Sequence, residues 1–206
     1  MINNSSTNFK LTRSDFIDEL YINEIPSDID GVFLYELKFI FKDCDIHQTR
    51  LVWKENAYGV ESIFTPLTNA SRKYYPSYRP TTTYSSIFLT IPMVAAISRN
   101  DECVLNVSIS DCLHSTSLSI GSMEYGGLPE VSILFFKNYV KTSSEYKVTL
   151  RIDRRKLSFS DSLAECRDFI YKLNNIHANV PNDAYMPLYS TWYNFHRDIY
   201  QDELMK

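Results

Sequence analysis

Residues Met186–His196 read MPLYSTWYNFH, and the organisation of the whole chain turns on how that stretch is taken. Pro187 stands at its entrance, and Tyr189, Trp192, Tyr193 and Phe195 are interleaved with Ser190, Thr191, Asn194 and His196. With period two, Tyr189, Thr191, Tyr193 and Phe195 face one way. Leu188, Ser190, Trp192, Asn194 and His196 face the other. Neither face is solvent-like, which predicts a strand covered on both sides, as in parallel sheets. Arg197–Lys206, RDIYQDELMK, follows as the opening of a helix. Asp198 caps it, and Gln201 three residues later completes a capping box. Strand, turn and first helical turns make the start of a βα unit, which cannot bury its own faces. The chain is therefore expected to end inside a second, interrupted domain.

The bulk composition narrows the class. A length of 206 residues suits one large domain or two small ones. The net charge of −4 comes with no basic run, which argues against nucleic acid as a partner. Aromatic residues are plentiful, led by 15 Tyr and 12 Phe, and flat side chains suit pleated sheets. Such rings also stack on sugars, although sheet packing is the commoner use. Nothing near the start resembles a signal peptide, and no run approaches the ~20 apolar residues that span a membrane. A cytoplasmic location with reduced thiols is the expectation. Cys44, Cys103, Cys112 and Cys166 form no C-x-x-C pair and read as small packing residues. His47, His114, His177 and His196 show no metal-ligand spacing. No metal or cofactor is expected.

Gly31–Lys42, GVFLYELKFIFK, alternates clearly, with Phe33, Tyr35, Leu37, Phe39 and Phe41 on one face. Arg50–Lys54 and Glu61–Thr65 read as short strands. Further strands are predicted at Ser86–Thr90, Met93–Ser98, Cys103–Ser110, Ser115–Gly121, Val131–Lys137 and Tyr146–Asp153. Asn100-Asp101 and Gly126-Gly127 are the sharpest turns. Residues 1–14 read either as loosely ordered or as an added edge strand. Pro66–Thr83, rich in Ser, Thr, Tyr and Pro, predicts a long irregular loop. A helix is expected over Asp161–Asn174, capped by Ser160, with Leu163, Cys166, Phe169, Ile170 and Leu173 as its apolar stripe. Many short strands argue for a large antiparallel β-sandwich over residues 1–180. A boundary at about 180 separates it from residues 181–206.

At this point the chain resembles the N-terminal half of glycoside hydrolase family 36, the bacterial α-galactosidases. The specific match is Pro187–His196, PLYSTWYNFH, which in that family forms the first strand of a TIM barrel. Pro92–Asp111 and Ser62–Pro66 agree more loosely, with Phe64 where the family carries Trp. The helix Ala164–Lys172 suits the family's segment ahead of the linker. The resemblance implies a β-supersandwich followed by a retaining, two-carboxylate hydrolase barrel. A barrel takes about 250 residues, far more than follow Asp183, and no residue here matches either catalytic motif. No catalytic residue is assigned.

By the same match, Trp192 and Tyr193 correspond to a Trp-Tyr pair that lines the terminal-sugar pocket. Trp53, Phe64, Tyr74 and Tyr75 are candidates for the rim of a neighbouring site, with packing as the alternative role. The expected function is a non-catalytic module of an α-galactosidase-like enzyme, inactive alone, whose partners are carbohydrates or a second copy. The alternatives are a stand-alone carbohydrate-binding module and an oligomerisation domain without ligand.

Overall fold

The structure, a computed structural model, describes residues 7–12, 17–41, 49–57, 59–67, 70–74, 81–85, 92–112, 116–121, 129–136, 144–177, 179 and 181–182. Two compact units divide after Ile176. The first is mainly β. In chain order it holds β1 (Lys10–Thr12), β2 (Ile17–Ile25), β3 (Val32–Phe41), β4 (Thr49–Lys54), β5 (Val60–Leu67), β6 (Ala70–Tyr74) and β7 (Thr81–Ser85). There follow β8 (Met93–Ser98), β9 (Glu102–Ile109), β10 (Thr116–Gly121), β11 (Glu130–Phe135), β12 (Glu145–Asp153), β13 (Leu157–Ser158) and one helix, α1 (Phe159–Asn174).

The described strands form two antiparallel sheets. One runs β1-β4-β11-β10-β7, the other β2-β3-β12-β9-β8-β5-β6, with β13 paired to β9. Alternation in β3 explains how they meet. Tyr35, Leu37, Phe39 and Phe41 are buried, while Glu36, Lys38 and Ile40 between them are half-buried. The buried set packs with Leu51 and Trp53 of β4 and with Val131, Ile133 and Phe135 of β11 in one core between the sheets. The Phe39 and Phe135 rings lie 5.1 Å apart across that core. Phe33, expected on the same face, is only partly buried and lies under the Arg154 guanidinium.

Several expectations need correction. Pro66–Thr83 is not one irregular loop: β5 extends through Pro66 to Leu67, and β6 and the start of β7 follow. Pro66 is tolerated because β5 pairs with β8 only up to Phe64. Beyond that point, among the described residues, it pairs with β6 alone, so the missing N–H disrupts no second ladder there. The edge strand allowed for near the start exists as β1, beside β4. β2 was not anticipated at all, although its buried Leu20 and Ile22 alternate with exposed Glu19, Tyr21 and Asn23. Asp101 makes the β8–β9 turn with φ 59°, a left-handed conformation that Asp accepts. The Ser86–Thr90 strand and the Gly126-Gly127 turn lie outside the described residues.

Helix α1 starts two residues earlier than expected. Its cap is Ser158, not Ser160: Ser158 Oγ accepts from the Asp161 N–H at 3.1 Å. Ser158 stands three residues ahead of Asp161, the spacing that lets a hydroxyl reach an unsatisfied first-turn donor. Asn175 closes the helix in the left-handed conformation. The helix covers the outer face of the larger sheet, where Cys166 and Ile170 pack with Met93, Ala95 and Cys103. Leu173 departs from the predicted stripe and is 49% exposed. Among the described residues no helix is long and apolar enough to cross a membrane.

Candidate functional site

A groove of about 560 Å³ lies on the outer face of the larger sheet, between α1 and the β2–β3 turn. Its floor includes Leu34 of β3 with Thr149 and Arg151 of β12, one wall is Ile25–Ile29, and the other includes Phe169 and Leu173. The volume falls within the range of small-ligand sites. Ile29 and Leu173 leave large apolar surfaces exposed along it. Gly31 fixes the turn wall. Its φ is +78°, and a Cβ there would meet Arg155 Cγ at 2.8 Å, so both conformation and space call for glycine.

A four-member charge network borders the floor. Arg151 Nη2 donates to Asp153 Oδ2 at 2.7 Å and to Glu165 Oε2 at 3.1 Å. Arg155 donates from Nε to Asp153 Oδ1 at 3.0 Å and from Nη2 to Asp153 Oδ2 at 2.8 Å, and it also bonds Glu165. Arg151 and Asp153 are 3% and 2% exposed, so these charges depend on one another. Burial alone would raise the Asp153 carboxyl pKa. Bonds from Arg155 and the charges of Arg151 and Arg155 outweigh it and hold the pKa below its ordinary value.

That shift has a consequence with a definite sign. A carboxyl depressed on folding stabilises the fold above its unfolded value of about 4, and the contribution disappears as pH falls through the lower folded value. Unfolding by urea should therefore become easier as pH falls below about 4, and less steeply so in Asp153→Asn than in the native chain. Equal pH slopes for the two proteins would remove Asp153 as the cause.

A second buried acid joins the two sheets. Glu55, 2% exposed, follows β4 in one sheet, and Arg154 follows β12 in the other. Arg154 Nε and Nη2 donate to Glu55 Oε2 and Oε1 at 2.8 and 3.0 Å. Trp53 Nε1 donates to Glu55 Oε1 at 2.6 Å. Arg154 also lies 4.4 Å from the centre of the Phe33 ring and reaches Thr7 Oγ1 at 3.3 Å.

These arrangements brace strand ends against one another and against α1. Asp153, Glu165 and Glu55 each accept from guanidinium groups. A retaining glycosidase needs two carboxyls facing a substrate at about 5–5.5 Å. Among the described residues no group of three or more His, Cys, Asp or Glu is placed to hold a metal ion.

Of the rim candidates, Trp53 and Phe64 pack in different clusters, Trp53 between the sheets and Phe64 with α1. Trp53 is a core residue, 2% exposed, with its ring edge against Phe9. It leaves no face for a sugar. Phe64 is half-buried and meets the Phe159 ring of α1 at 4.6 Å. Tyr74 ends β6 opposite Ile63. Tyr75, Trp192 and Tyr193 lie outside the described residues, as does all of Met186–His196. Sequence reasoning missed the charge network, whose signal is Arg151-Ile-Asp-Arg-Arg155 at the end of a strand. Period two puts Arg151 and Asp153 on one face and carries the pattern on to Arg155. No protein-family model matches the chain, and no curated protein matches it.

Proposed function

We propose that the chain is a non-catalytic β-sandwich module of an α-galactosidase-like glycoside hydrolase. In the complete protein it supports a TIM barrel, shapes the rim of the active site and contributes oligomer contacts. One observation carries this reading: a double-sheet unit closed by α1 stands directly ahead of the Pro187–His196 motif in the chain. That order is what the family resemblance leads one to expect. In this reading Trp192 and Tyr193 belong to the first barrel strand and face the terminal sugar. The reacting carboxyls belong to later barrel strands. The 206-residue chain should give no turnover of an aryl α-galactoside. Hydrolysis that co-purifies with the chain through successive columns would overturn the proposal.

A second reading, a stand-alone carbohydrate-binding module, is favoured by the groove between α1 and the β2–β3 turn. It has a ligand's volume, an apolar wall at Phe169 and charged groups at its floor. Calorimetry with galactose, melibiose and raffinose separates the two. Dissociation constants well below millimolar support the binding module, and the absence of heat supports the first reading.

A further inference from the structure

Beneath α1, three polar atoms are fully buried: Arg151 Nη1 and Asn106 Oδ1, which have no hydrogen-bond partner, and Ser108 Oγ, whose hydroxyl meets the Cys166 thiol and leaves its acceptor side open. Strand register puts their residues on one face. Arg151 of β12 stands opposite Ser108 of β9, and Asp153 opposite Asn106. Ser108 and Asn106, two residues apart on β9, share that face. The Arg151 head group is bonded to Asp153 through Nη2, which brings its other nitrogen to the rung that Asn106 occupies. Asn106 Nδ2 donates to Ser162 Oγ at 2.8 Å and faces the Ser162 carbonyl oxygen at 3.4 Å. A carbonyl oxygen only accepts, so the amide nitrogen belongs on that side and Oδ1 is the free acceptor. The Ser108 hydroxyl lies beside the Cys166 thiol, which burial pushes up to about 11 and Ser108 pulls partly back.

We propose that one water molecule is bound beneath α1 and joins Arg151, Asn106 and Ser108. Its oxygen accepts from Arg151 Nη1–H, and its two O–H groups donate to Asn106 Oδ1 and Ser108 Oγ. The chemistry selects water over other small species. A cation meets the Arg151 guanidinium, and an anion meets the Asn106 carbonyl with Asp153 behind it. Only a group that both donates and accepts satisfies all three atoms. Buried waters typically make about three bonds to otherwise unpaired groups, and a buried donor left unpaired costs about 1–3 kcal/mol. The water is then part of the joint between the sheet and the helix, beside the groove that Arg151 floors.

A high-resolution crystal structure of the full chain tests this directly. The expected result is one spherical density peak within about 2.7–3.2 Å of all three atoms. Continuous density between the side chains, no peak, or a peak that refines as an ion would overturn the proposal. Magnetic relaxation dispersion of solvent water gives an independent count. Ser108→Val, which fills the space with methyl groups, should lose one long-lived internal water relative to the native chain. An unchanged count would overturn the proposal as well. Should that variant not fold, the native crystal structure alone decides.

Discussion

Phe39→Ala should lower the unfolding free energy by about 3–5 kcal/mol, the range for truncating a fully buried aromatic. The ring is 0% exposed and lies between the sheets. It meets Phe135 of the opposite sheet at 5.1 Å, Tyr146 at 5.9 Å and Phe136 at 6.3 Å. Deleting it removes the contact that ties β3 to β11 and leaves a cavity that neighbours fixed in two different sheets cannot close. Domains have only about 5–15 kcal/mol in hand, so the variant sits close to the unfolding threshold. Urea titration should show a lower midpoint with an unchanged slope. Phe39→Leu, which keeps most of the volume, should lose less. A loss under about 1 kcal/mol for the alanine variant would mean the sheets do not share this core.

The second large effect is expected at Arg154. Arg154→Met should cost about 3 kcal/mol, the low end for breaking a buried ion pair by removing one member. The side chain removed is 31% exposed, but the Glu55 carboxylate left behind is 2% exposed and loses both guanidinium donors, keeping the Trp53 Nε1 bond. Methionine keeps the packing over Phe33, so the loss reports the charge. Adding Glu55→Gln to that background should recover part of it, because a neutral amide tolerates burial better. A coupling below about 0.5 kcal/mol in the double-mutant cycle would show that the pair does not join the sheets.

How much of this was legible in the sequence depended on whether one signal acted alone. Val32–Phe41 and Met93–Ser98 were readable because alternation or a continuous apolar run met nothing opposed to it. β6 and β7 were hidden because Ser, Thr, Tyr and Pro indicate loops by composition, while Thr81–Thr83 favour strands by their branched side chains. Pairing with neighbours far along the chain decided the matter, and that is not a local property. The N-cap was misplaced by two residues because three serines, at 158, 160 and 162, compete for it. Only the spacing to Asp161 separates them. The candidate site was the least legible part. Trp53 read equally as a rim residue or a packing one, and what buries it is distant: Glu55, which takes its indole N–H, is held by Arg154, 99 positions away. Arg151, Asp153 and Glu165 likewise gain meaning only once α1 lies over the sheet.

Strand β12 pairs with β3 on one side and β9 on the other. Among the described strands it is the last long one to be synthesised, yet it lies inside its sheet. At about 5–20 residues per second, roughly ten seconds of translation separate Phe41 from Asp153. Throughout that interval β3, which bears the aromatic row that later becomes the core, has one flank unmated, and β9 shares that condition once Ile109 has been added. The hazard to this protein is therefore concentrated on the ribosome. Chaperone demand and yield on expression should respond to how quickly residues 145–153 arrive more than to the stability of the finished molecule.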